Sequence, residues 1–235
     1  MSKILILGFL AVSMLGCSAK KMATPAPPSG YVGIAAEDNE RLQGSLFKGD
    51  QAVLSNQDIE RILSAHLTLT DRHRLAVLRL NSRLSWSEEL SDLEAQNSER
   101  FLQALRSDPQ LTQVRLMPSL LVPEKQTVPY LREAAARFQA DLLLVYTTRV
   151  QTFRQGRVFS PDEVRARCLV DSVLLDVRTG IVVHSAQIAE SVEAKKAQGD
   201  LNFSETVAKA EANATGKALL KDADAIVAYL REPGN

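Results

Sequence analysis

Few side chains in this sequence have the type and spacing for chemistry. There are three histidines, His66, His73 and His184, and two cysteines, Cys17 and Cys168. No H-E-x-x-H or C-x-x-C spacing joins them, so a zinc site has no support. The G-x-S-x-G elbow of hydrolases is absent, and so are both glycine-rich phosphate cradles. Neither a metal nor a cofactor is implied. Cys168 lies in the apolar run CLVDSVLLDV. A reactive thiolate wants a neighbouring His or Lys, and none is local, so Cys168 reads as a small core residue. Asp171 interrupts the same run. A carboxylate at mid-strand is costly unless paired or wet. It is therefore a ligand- or proton-handling acid, or half of a sheet salt bridge with Arg149 or Arg167. The second reading is favoured. A hydrolase with an unrecognised site is one alternative, and Asp171 with His184 is the pair it could be built on. The last candidate is a contact surface. Arg149, Arg154, Arg157, Arg165 and Arg167 flank a connection at 150–164 that also carries Phe153 and Phe159. Aromatics and Arg are the residues enriched at binding hot spots. Phe153, Arg154, Arg157 and Phe159 are thus the candidate partner-binding set, and the plain alternative is solvated strand ends.

Cys17 belongs to a different chemistry. Lys3 is followed by the apolar stretch Ile4–Leu15, then Gly16-Cys17. A basic start, a short apolar segment and a small residue before a cut describe a secretory signal. The apolar run is about 12 residues, where a spanning helix needs about 20. Met14-Leu15-Gly16-Cys17 resembles the lipobox of bacterial lipoproteins, with Met in place of the usual Leu. The resemblance implies cleavage after residue 16 and a diacylglyceryl group on the Cys17 thiol. It also implies a further acyl chain (such as palmitate) on the freed amine. Ser18, rather than Asp, implies an outer-membrane destination facing the periplasm. An ordinary signal with a chance cysteine is the alternative. With Cys17 acylated, Cys168 has no disulfide partner.

The elements that must position these residues follow from charge and periodicity. Lys+Arg and Asp+Glu both number 28, so nothing in the balance suggests general nucleic-acid binding, which needs a basic patch. Residues 17–36, CSAKKMATPAPPSGYVGIAA, read as the lipidated cysteine and an extended tether. Residues 37–69 form an amino-terminal extension. Within it Ser55 and Asp58 make a capping pattern before Ile59, Ile62, Leu63 and His66 at helical spacing. The remainder, 70–232, alternates strands and helices. A short strand is expected at 75–80 and a helix over 86–106 capped by Ser85. A second strand is expected at 114–117 and a helix over 128–139 behind Thr127 and Pro129. Asp141 opens a strand whose Leu142–Val145 run suggests burial on both faces. Residues 166–194 read as a hairpin turning at Arg178-Thr179-Gly180, and an Ala-rich helix fills 204–231. Asn202 and Asn213 begin glycosylation sequons that read as chance. Early β-α-β units favour parallel neighbours and the hairpin adds antiparallel ones. The expected fold is a single α/β domain, one mixed sheet of about five strands with helices packed on it.

The pieces Leu75–Leu80, Ala140–Val145 and Leu174–Val183 resemble a periplasmic module. It is found in penicillin-binding-protein activator lipoproteins, in the TolB amino-terminal-domain type and in curli-secretion lipoproteins. The shared features are a first short strand, A-D followed by apolar residues at the central strand, and L-x-D-x-x-T-G-x-(apolar)₂ at the hairpin. The resemblance covers about 70–231 and implies a protein-binding or assembly module that is not an enzyme. Its partners would be membrane lipid, through Cys17, and an envelope protein, with no nucleic acid. A structural subunit of a secretion or export complex is the second expectation, and an envelope hydrolase with an unrecognised site the third.

Overall fold

The computed structural model describes Leu46, residues 55–65, Leu69, 72–80, 88–155, 163–200 and 202–232. Cys17, the signal and the tether lie outside the described residues, as do Ser85 and Trp86. The elements are α1 (Asn56–Ser64), β1 (His73–Arg79), α2 (Glu88–Arg106), β2 (Leu111–Leu116), α3 (Val128–Arg137), β3 (Leu142–Gln155), β4 (Glu163–Asp176), β5 (Val182–Lys195) and α4 (Phe203–Leu230). The five strands form one sheet in the order β2-β1-β3-β4-β5. β1 runs parallel to β2 and β3, and β4 runs antiparallel to β3 and β5. The expected mixed sheet is therefore present.

Chain direction accounts for the layering. The crossover from β1 to β2 and the one from β2 to β3 move in opposite directions across the sheet. A right-handed connection then puts their helices on opposite faces. Phe101, Leu102 and Leu105 of α2 pack on one face with Leu75, Val77, Leu142 and Leu144, and α4 joins them there. Leu131, Ala134 and Ala135 of α3 pack on the other face with Ala76, Leu78, Leu143 and Val145. Leu142–Val145 is thus apolar at every position because helices cover both sides. Those residues are buried as expected, and Ala76–Leu78 of the adjoining β1 matches them.

Local signals hold most elements. Ser55 and Asp58 form the expected capping box, with the Ser55 hydroxyl accepting from the Asp58 N–H at 3.1 Å. The Ile59, Ile62 and Leu63 side chains of α1 nevertheless face solvent. Thr127 occupies the N-cap of α3, but its side chain makes no capping bond. The Val128 N–H instead donates to the Leu46 carbonyl at 2.9 Å. Asn202 caps α4 by accepting from the Glu205 N–H at 3.0 Å, which gives the first sequon a structural role. Small residues let α4 approach its neighbours closely. Asn97 of α2 donates to the Ala212 carbonyl at 2.9 Å, and any Cβ at Gly216 would run into the Asn97 side chain.

The residues of the hairpin and A-D motifs are structural fixtures. Asp141 accepts from the Arg74 backbone N–H at 3.0 Å and from its guanidinium at 3.0 and 3.1 Å. That guanidinium holds the Asp141 carboxyl below the usual range. Asp176 accepts from the Thr179 N–H and hydroxyl, both at 2.7 Å. Gly180 then turns the chain at φ +79°, in the left-handed region that glycine enters without penalty. Arg132 of α3 donates to the Val177 carbonyl at 2.9 Å and to the Arg178 carbonyl, which clamps the turn to the helix.

Candidate interaction surface

The sequence reading of a 150–164 connection needs correction. β3 continues to Gln155 and β4 begins at Glu163, and the two pair in register along their full lengths. Phe153 and Arg154 are strand residues, with Phe153 opposite Arg165 and Arg154 opposite Val164. The alternation in TTRVQTF explains this, since one side of the hairpin packs on α4 and the other is left open. Polar side chains on the open side disguised a strand as a loop. Arg157 and Phe159 lie outside the described residues.

The open side begins where α3 ends its cover. Beyond Val145 and Val173, alternate residues of β3, β4 and β5 form cross-strand rows on the face away from α4. The first row is Thr147, Asp171 and Gln187. Arg149, Leu169 and Ala189 follow, then Gln151, Arg167 and Ser191, then Phe153, Arg165 and Glu193. Asp171 accepts from Arg149 at 2.6 Å and from Gln187 at 2.7 Å. The salt-bridge reading of Asp171 is the one observed, with Arg149 as the partner. Arg165 pairs with Glu193, and Lys195 with Glu163 at 3.0 Å. No described residue pairs with Arg167. Phe153 is 59% exposed beside it. Phe153, Arg165, Arg167, Ala189, Ser191, Glu193 and Lys195 contribute to a shallow depression at this end of the hairpin. The β5 contributors were missed in the sequence. Their signal was the alternation of SAQIAESVEAK, broken only at Ala189-Glu190, which marks one largely polar face.

The other candidates are not brought together. His184 lies on the opposite side of the sheet from Asp171, its ring 4.8 Å from that of Tyr229 on α4. Burial lowers the His184 pKa. His73 begins β1, two strands away from β4, and His66 lies outside the described residues. Among the described residues no three His, Cys, Asp or Glu side chains gather as a metal site. Cys168 is fully buried, as expected of a core residue, and burial raises its thiol pKa. Among the same residues no helix is long and apolar enough to cross a membrane.

No family model and no curated protein matches this sequence. Solved structures do resemble it. A minor lipoprotein from Acinetobacter baumannii is 14% identical, covering 66% of this chain and 92% of that one, with a TM-score of 0.34. A lipoprotein from Neisseria meningitidis is 12% identical, covering 60% and 96%, with a TM-score of 0.31. The PelC dodecamer from Paraburkholderia phytofirmans is 16% identical in one crystal form, covering 67% and 95%, with a TM-score of 0.27. At these TM-scores the likenesses assign no function. None of the three families suggested by the hairpin motif is shown by them.

Proposed function

We propose that this chain is a lipid-anchored bacterial envelope lipoprotein that docks a protein partner on the open face of β3–β5. The observation that carries the docking reading is Phe153, 59% exposed, beside Arg167, which has no partner among the described residues, on a sheet face that no described helix covers. Such a pair suits a partner that offers an apolar pocket to the ring and a carboxylate to the guanidinium. Arg149, Arg165 and Lys195 already have carboxylate partners, which leaves Arg167 as a cation without an ion-pair partner among the described residues of this face. The envelope reading rests on Met14-Leu15-Gly16-Cys17 after a short apolar segment. Two acyl chains or more make attachment stable. The hairpin motif's resemblance to penicillin-binding-protein activators, TolB-type domains and curli-secretion lipoproteins supports the docking reading, and Ser18 after the cysteine supports outer-membrane placement.

Two experiments test the two halves. Cys17→Ala should leave the protein unprocessed or release it from its membrane fraction. Unchanged fractionation, with no lipid mass on the mature amino terminus, would contradict the anchor. Phe153→Ala with Arg167→Ala should keep the wild-type melting profile, because exposed changes of this kind rarely cost much stability. The same pair should weaken capture of the wild-type crosslinked partner by about ten-fold or more, as expected for loss of a hot spot. Undiminished capture by the folded variant would place the contact elsewhere.

A further inference from the structure

The two edges of the sheet differ. β2 is short, spanning Leu111–Leu116, and its Arg115 guanidinium stacks on Phe138 at 4.4 Å. β5 is 14 residues long and pairs with β4 alone among the described strands. A long edge strand presents a row of unpaired backbone donors and acceptors. Proteins usually guard such edges with charge, proline or a bulge. In β5 the charges Glu190, Glu193 and Lys195 crowd one end, and the one irregularity, opposite Leu174/Leu175, lies at the other. Between them His184-Ser185-Ala186-Gln187-Ile188-Ala189 has no proline, no bulge and no carboxylate or ammonium group. His184 is held toward its neutral form by burial.

We infer that β5 pairs antiparallel with β5 of a second copy of this chain, joining two five-stranded sheets about a two-fold axis near Ile188. The strand is complementary to itself in that register. With Ile188 opposite its own mate, Gln187 faces Ala189, Ala186 faces Glu190, Ser185 faces Ser191 and His184 faces Val192. No like charges meet, and each side chain keeps its face, as antiparallel pairing demands. Ile188 and Val192 pack against the α4-side core only in part, and the mate's residues would extend that layer. Moving the axis to Glu190 sets Glu190 against itself, and moving it to Glu193 does the same there. Like charges directly opposite are unfavourable, so charge excludes those two axes, and an axis at Ile188 adds the burial of Ile188 against its mate. A foreign strand would have to supply this pattern independently, whereas a second copy carries it already. The inference rests on backbone pairing along β5, whereas Phe153 and Arg167, which carry the docking reading, lie on β3 and β4.

The test uses the full lipidated chain in a mild detergent. Sedimentation should show a concentration-dependent dimer. Ser185→Lys with Ser191→Lys opposes lysines across the axis and should weaken association by about ten-fold or more. Gln113→Lys on the β2 edge should not. The melting profile checks that each variant is folded. Register is read separately by mixing Ser185→Cys protein with Ser191→Cys protein under mild oxidation. A disulfide-linked dimer should form in the mixture and not from either variant alone. Phe153→Ala with Arg167→Ala should dimerise normally, so failure of the docking surface and failure of the edge pairing give different results. A wild-type chain that stays monomeric overturns the inference. So does a dimer that survives the paired lysines, or one that Gln113→Lys breaks.

Discussion

Leu144→Asp is expected to abolish cooperative folding. Leu144 is 0% exposed on β3, the middle strand of the sheet. Val77 of β1 and Leu174 of β4 flank it in register, and α2 and α4 close over that face. Its neighbours in register are apolar, and Arg79, the cation on that face, lies a row further along opposite Tyr146. A carboxylate there must stay charged at several kcal/mol of desolvation cost or take up a proton, and the leucine's packing is lost either way. A domain of this kind is stable by only about 5–15 kcal/mol. Thermal and urea unfolding followed by circular dichroism should lose their sigmoidal transition. Thr148→Asp, further along β3 where the side chain is only half-buried, should keep it. A cooperative Leu144→Asp transition near the wild-type midpoint would show that this layer is not the core.

The parts of the fold legible in the sequence are those where burial on both faces or a turn fixes the residue type. LLLV suggested a strand buried on both faces, and helices do cover it on both sides. Asp176, Thr179 and Gly180 wrote the turn plainly because its geometry needs those acceptors and a positive φ. The distal hairpin was less legible. Once α3 no longer covers the outer face, strand residues there become polar or charged, and Val150–Gln155 resembles a loop in composition while pairing as a strand. The same physics hid the candidate surface. Arg167 and Phe153 are near the same spot in space but 14 positions apart in sequence, and Ser191 arrives from a third strand. The capping residues show a different limit. Ser55 and Asn202 cap as their types suggest, whereas Thr127 yields its place to the Leu46 carbonyl. That contact comes from a distant segment, which no local pattern can announce.

Asp222→Asn is expected to stabilise the protein at neutral pH and to have little effect near pH 4. Asp222 sits on the buried face of α4 and is fully enclosed. Its Oδ1 accepts from the Ser172 hydroxyl of β4 at 2.6 Å, and its Oδ2 has no hydrogen-bond partner. Tyr146 of β3 feels its charge, and feels Arg79 of β1 as well. Desolvation dominates, and the Ser172 bond only partly offsets it, so the Asp222 pKa rises from 3.8 to about 6. The folded state therefore holds this proton more tightly than the unfolded chain does. The associated stability is fully present below the unfolded pKa and is lost as pH rises through about 6. A shift of this size corresponds to about 3 kcal/mol. Asparagine keeps an acceptor for Ser172 and removes the charge, while its amide nitrogen takes up the unpartnered position. The protonated acid leaves a donor unsatisfied at the same place, so that cost is common to both and the net gain at pH 7.5 is about 2–3 kcal/mol. Urea unfolding of both proteins from pH 4 to pH 7.5 measures the difference directly, and other titrating groups cancel between them. The two stability curves should converge toward pH 4 and separate between about pH 4 and pH 6, with a constant gap above that. Parallel curves would mean that Asp222 is charged throughout, with a counter-ion reaching the helix in solution. Arg79 is the residue to replace next in that event, because its guanidinium Nε is buried and without a partner.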